Sequence, residues 1–256
     1  QLTGKQPWSA SAHSIKSGGK DVTIREATDE DIDKTIEAFV KAAERAYKAG
    51  FDGVELHGAH GYLLHQFLST FTNHRTDKWG GSLENRSKLL LNILSNIKSV
   101  VPKSFMVGVR LSPEDKYGFQ GIDLDDSLAL ANTLSISGAD FIHVSPWDAF
   151  KKPEKYPDNE KRLITYFREA VPENVPIIVA GEIWSSQDAE KAIELGADFV
   201  ALGKAAIAIA DWPTQARDSN FQPQKPPYTI QHLRDASLGE AFIQYMIRWK
   251  DFVLED

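Results

Sequence analysis

Two rhythms of apolar positions alternate along this chain. The first is helical. From Thr28 to Lys48, the residues Ile32, Ile36, Phe39, Val40 and Ala43 recur every three or four positions and so share one face. Thr28 is suited to cap this helix, with Asp29, Glu30 and Asp31 in its first turn. Further helices are predicted from about Leu89 to Val100, Ser127 to Ser135, Arg162 to Val171 and Ser186 to Glu194. A last one, about Gly239 to Asp251, carries Phe242, Ile243, Met246 and Ile247 on its apolar face. The second rhythm is a short, nearly continuous apolar run. It occurs at Phe51 to Leu56, Phe105 to Leu111, Phe141 to Val144, Pro176 to Ala180 and Phe199 to Leu202. Such runs suit strands buried on both faces of a parallel sheet.

A loose repeat sets the architecture. Gly50-Phe51-Asp52, Gly138-Ala139-Asp140 and Gly196-Ala197-Asp198 each join a helix to one of these strands. Glycine there ends a helix in the left-handed conformation, which is easy only without a Cβ. Helix and strand then alternate throughout, which predicts an α/β fold with a parallel sheet covered by helices. The spacing fits a (β/α)8 TIM barrel that is incomplete in this chain. A doubly wound open sheet is the rival, weakened because no Gly-x-Gly-x-x-Gly follows any strand. The proline-rich segment Phe221 to Tyr228 and the last helix read as packing on the same domain. The expectation is one domain over 1–256, with 211–256 as its C-terminal part.

Composition narrows the function classes. The chain has 256 residues, 42% hydrophobic and 25% charged, with formal net charge −7. No basic stripe appears, which argues against nucleic acid as a partner. No apolar run is long enough for a bilayer, and Gln1 to Lys5 has no signal-peptide shape. The chain contains no cysteine, so it holds no disulfide, thiolate zinc site or Cys-ligated iron–sulfur cluster. A cytoplasmic location fits. The chain starts at Gln1 without an initiator Met, which reads as a fragment or processed product.

The chemistry concentrates where the first of these strands ends, at His57-Gly58-Ala59-His60-Gly61-Tyr62. Two imidazoles and a phenol fixed at a strand end can polarise an acceptor oxygen and protonate a neighbouring carbon. Two plainer readings stand beside this: a metal-ligand fragment, or unrelated surface histidines. Zinc needs a third protein ligand, and no nearby residue is obviously placed for it. The stretch Leu63 to Arg86 shows no clear helical period and reads as a long functional loop. Farther on, Gly181-Glu182-Ile183 and Gly203-Lys204 follow the last two strands, where barrels often hold phosphate. A capping turn with a solvated lysine is the plainer alternative.

The run Gly-Val-Glu-Leu-His-Gly-Ala-His-Gly-Tyr-Leu-Leu at 53–64, with Gln-Phe-Leu-Ser, Asn-x-Arg-Thr-Asp and Gly-Gly-Ser-x-Glu-Asn-Arg after it, resembles the Old Yellow Enzyme family. These are FMN-dependent NAD(P)H:flavin oxidoreductases built on (β/α)8 barrels, and the likeness runs from Gln1 to about Trp212. It implies FMN as cofactor, NAD(P)H as reductant and an activated alkene as small-molecule substrate, with a homo-dimer or tetramer as the assembly. It gives His57 and His60 the substrate oxygen beside the flavin, and Tyr62 the proton donated to carbon. It puts Gln1 at the flavin pyrimidine edge and Arg110 beside the isoalloxazine. Gly181, Glu182, Ile183, Gly203 and Lys204 then form the phosphate end. The family usually has Arg where Lys204 stands, and a residue commonly Asp or Asn where His65 stands. Its first two strands have no counterpart here, so weak or absent FMN binding is expected until they are supplied. The resemblance therefore implies an ene-reductase. The alternative is an inactive barrel remnant acting as a binding or oligomerisation module. A metal-dependent hydrolase using His57 and His60 is a third option.

Overall fold

A computed structural model describes residues 4–115 and 121–254. Its centre is a parallel sheet of five strands: β4 (Gly53–Gly58), β5 (Met106–Leu111), β6 (Ile142–Val144), β7 (Ile177–Ala180) and β8 (Phe199–Ala201). They pair strictly in chain order. A doubly wound sheet reverses its strand order at a switch point, and no reversal occurs. The sheet is part of a (β/α) barrel. Three further strands precede it: β1 (Trp8–Ser9), β2 (His13–Ser17) and β3 (Lys20–Glu26), in the order β1-β3-β2.

Helices join successive strands. They are α1 (Asp29–Lys48), α2 (Leu63–Leu68), α3 (Leu83–Val100), α4 (Leu124–Ile136), α5 (Leu163–Ala170) and α6 (Ser186–Glu194). Beyond β8 come α7 (Lys204–Ala208), α8 (Trp212–Gln215), α9 (Ile230–Asp235) and α10 (Glu240–Met246). Thr28 caps α1 through a reciprocal pair of bonds with Asp31, as its sequence predicts. The repeat has a physical basis. Gly50, Gly138 and Gly196 all take positive φ at the helix-to-strand turn. The aspartate after the glycine ties down the neighbouring strand: Asp140 accepts from the Val107 amide at 2.6 Å, and Asp198 from that of Ile177 at 2.8 Å.

Apolar residues on the outer face of the sheet meet the helices in one core. Leu56, Val109, Ile142 and Val144 pack there with Leu90, Ile93 and Leu94 of α3 and Leu130 and Leu134 of α4. The C-terminal residues form a second cluster, in which Trp212, Tyr228, Ile243 and Met246 pack on Trp184, Ala205 and Ala208.

The structure corrects four expectations. Leu63–Leu68 is a helix, and α3 begins at Leu83 rather than near Leu89. A six-residue helix is too short to show a period. The remainder of that stretch is held by side chains bonded to backbone. Asn73 Nδ2 donates to the Phe67 and Trp79 carbonyls, and Arg75 Nη1 to those of Ala10 and Ala27. These bonds explain the Asn-x-Arg spacing as architecture. The last helix stops at Met246, and Phe242 and Ile247 are exposed where burial was expected. Phe242 stacks on Tyr245 at the surface instead. The hairpin β2–β3 carried no expectation to correct, because it buries only Ile24 and so has no apolar pattern.

Candidate active site

The C-terminal ends of the parallel strands form a rim. His57 on β4 is in register with Arg110 on β5, and Arg110 with His143 on β6. The chain then turns sharply, with His60 at φ 59° and Gly61 at φ 75°. A left-handed turn brings the His60 ring back beside the strand end, and its amide is fixed to Ser112 Oγ at 3.0 Å. The His57 and His60 ring centres lie 5.3 Å apart, and the Tyr62 ring lies 5.1 Å from that of His57. Tyr62 is 63% exposed, just ahead of α2. The three side chains are within reach of one small ligand.

Electrostatics fixes the charge of the pair. Burial, followed by the nearby Arg110 charge for His57, lowers both imidazoles below their ordinary range. Both are neutral near pH 7, and each then carries one N–H. His60 Nε2 lies 3.3 Å from the Ser145 carbonyl oxygen. A carbonyl only accepts, so this contact needs the proton on Nε2. Arg110 Nη2 donates to Ser145 Oγ at 2.8 Å, while its Nε is buried with no partner among the described residues. Below the rim, His143 Nδ1 contacts Glu55 at 2.8 Å.

A cavity of about 270 Å³ opens beside His60. Arg110, Gly181, Glu182, Ile183, Gly203 and Lys204 line it together with His60, although they are spread over three strand ends. His57 and Tyr62 stand next to His60 rather than in the lining. Gln1 lies outside the described residues. Gly181 has φ 130°, and a Cβ there would come within 2.6 Å of the Pro146 carbonyl oxygen. At Gly203 nothing lies within 4 Å of where a Cβ would stand, which leaves the backbone open. Glu182 faces Lys204 at 3.6 Å.

Sequence reasoning missed Ser112, Ser145 and Trp147. The signal was present, since Ser112 and Ser145 follow directly on strands, Trp147 stands three residues past β6 with its ring 6.0 Å from that of His60, and strand ends build barrel sites. It also missed the role of His65, which is buried and bonded to Asp115, alongside Ser69 Oγ and the Ile122 amide. Burial alone would raise the Asp115 carboxyl, but these donors hold it below its ordinary range. A larger hollow, about 480 Å³, lies in the C-terminal segment against Asp211, Phe221 and His232. No strand end reaches it, so the smaller cavity is the candidate site. Among the described residues, no group of three or more His, Asp or Glu is arranged to hold a metal ion. No helix among them is long and apolar enough to cross a membrane.

A model of the NADH:flavin oxidoreductase / NADH oxidase family matches residues 3–221. The chain belongs to this family. Family relatives include the probable NADH-dependent flavin oxidoreductase YqiG of Bacillus subtilis, 36% identical over 80% of this chain and 55% of that protein. NADH:acrylate oxidoreductase of Vibrio harveyi is 37% identical over 83% of this chain and 22% of its own length. The chain thus spans about half or less of these two relatives. Among solved structures, morphinone reductase in complex with tetrahydroNAD superimposes with a TM-score of 0.72 at 27% identity, covering 99% of this chain and 68% of that one. An old yellow enzyme homologue from Zymomonas mobilis gives 0.73 at 26% identity, covering 91% and 66%. The resemblance carried by residues 53–86 is the family relationship.

Proposed function

We propose that this protein uses NAD(P)H and FMN to reduce the C=C bond of activated alkenes, namely α,β-unsaturated carbonyl or nitro compounds. One observation carries the reading: the His57, His60 and Tyr62 cluster adjoins a cavity lined by Arg110, Gly181, Gly203 and Lys204. Relatives named for acrylate, cinnamate and fumarate support an alkene substrate.

The residues present fit FMN. The buried Arg110 Nε is a donor that lacks an acceptor, as a residue facing a flavin ring would be. At the other end Gly203 leaves its backbone open and Lys204 offers a positive charge for the phosphate, with Gly181, Glu182 and Ile183 beside them in the lining. Gln1, outside the described residues, is assigned the pyrimidine edge by the family resemblance alone. When bound, FMN supplies hydride taken from NAD(P)H to the β-carbon of the alkene.

The chain's own residues do the rest. His57 and His60 donate to the substrate oxygen and stabilise the enolate-like charge that grows there. His60 Nε2 exchanges its long bond to Ser145 for that oxygen. Arg110 adds positive charge beside the ring, held in place by Ser145. The Tyr62 hydroxyl donates a proton to the α-carbon. The same reading takes residues 1–256 as one barrel domain of a cytoplasmic homo-dimer or tetramer.

The inactive-module alternative draws on Met106 and Phe199, which are exposed on the inner face of the sheet. Two measurements separate the readings. Purified protein, with the family's first two strands supplied, should take up FMN with the flavin absorbance bands, and with air excluded should then oxidise NAD(P)H only when a cyclic enone is present. Protein that stays colourless and never couples NAD(P)H oxidation to an enone would leave the module reading in place.

A further inference from the structure

We propose that Glu182 sets how tightly the cavity holds a phosphate, acting as an internal counter-anion for Lys204 that the phosphate has to displace. The proposal rests on the flavin reading above and deepens it. Arg110 and Lys204 are the two permanent cations among the described cavity residues, and Glu182 is the one carboxylate. Arg110 is tied to Ser145 at the imidazole end. Lys204 is therefore the cation left for an anionic group at the other end, and Glu182 Oε1 already faces it at 3.6 Å.

An incidental surface pair would be the plainer explanation, and both side chains are about half exposed. Two features argue against it. Glu182 holds φ 51°, a left-handed backbone that glycine, Asn or Asp enter far more readily than Glu. Its second oxygen is pinned by the indole N–H of the buried Trp184 at 2.9 Å. The carboxylate is thus aimed at the lysine by backbone and side chain together. An incoming phosphate meets a neutral pair instead of a free ammonium, and a like charge beside its own.

The test compares FMN with riboflavin, which differs in lacking the phosphate. Each is titrated into the full-length protein and into Glu182→Gln, followed by quenching of flavin fluorescence. The amide keeps an acceptor for Trp184 but carries no charge. FMN should bind the variant about tenfold more tightly, the order expected for removing one water-screened like charge a few ångström from a dianion. Riboflavin affinity should stay within about twofold. The FMN gain should shrink in high salt, because exposed charges are screened. If Glu182→Gln does not fold, Glu182→Asn serves, since Asn suits the left-handed backbone.

An unchanged ratio of FMN to riboflavin affinity overturns the proposal, as does an equal gain for both flavins, which would mark a merely structural change. Binding of neither flavin to either protein, even with the family's first two strands supplied, overturns the flavin reading, and the proposal with it.

Discussion

The two faces of the parallel sheet are built from the same five strands and differ in almost every other respect. Toward the helices stand Leu56, Val107, Val109 and Leu111, none more than 2% exposed. The opposite face carries Glu55, His57 and Arg110, with Met106 48% and Phe199 58% exposed. Successive residues of a strand point to opposite sides, so one strand serves both ends. The outer face does what burial rewards. The inner face holds ionisable groups that burial alone would reject, and His57 and Arg110 among them are the ones proposed for chemistry. The difference teaches where stability and function can be separated in this molecule.

The largest expected effect tests that separation from the functional side. In the flavin-loaded protein, Tyr62→Phe should slow alkene reduction by about 10²–10⁴-fold, the usual loss on removing a general acid. Flavin reduction by NAD(P)H should be nearly intact, and so should the melting temperature, because the ring is mostly exposed. Stopped-flow measurement of the two half-reactions distinguishes the outcomes, and an equal loss in both would make Tyr62 structural.

From the packed side, Leu94→Ala should cost about 2–5 kcal/mol in urea unfolding, since Leu94 is fully buried among α3 and its neighbours. Flavin affinity of the folded fraction should not change. A cost below about 1 kcal/mol would mean that the outer core is not as closely packed as its burial indicates.

Asp115 lies at the rim, between the two regimes. Its carboxylate accepts from His65, Ser69 and the Ile122 amide. Asp115→Asn should lower stability at pH 7 by about 1–3 kcal/mol, typical for bonds to a charged group. Burial opposes this carboxylate's charge, but the hydrogen bonds prevail and the folded-state pKa is depressed. Its contribution is therefore present above the unfolded value of about 3.9 and is lost as pH falls through the folded one. Unfolding curves of the two proteins should converge in acid. A constant gap down to pH 2 would trace the loss to packing instead.

The smallest effect is expected at Met106→Thr on the open face, within about 0.5 kcal/mol in this chain. A loss as large as that of Leu94→Ala would break the comparison, because it would show that the inner face is packed in solution.

By itself, the order of residues determined the parallel strands, their helices and the turns between them. Each of these depends on local periodicity or on a glycine and aspartate at fixed spacing, as at Gly138 and Asp140. It also marked His57, His60 and Tyr62 at the end of one strand and Lys204 after another, while the family resemblance added Arg110. The helix Leu63–Leu68 and the hairpin β2–β3 escaped, the one too short for a period and the other with almost nothing buried. Only the tertiary structure decided that Ser145 links Arg110 to His60, that His65 belongs with Asp115, and that Glu182 meets Lys204. Those pairs come from different strands or loops, so their meeting depends on how the sheet aligns its edges. Charge partnership at such distances leaves no mark on the local pattern of either segment.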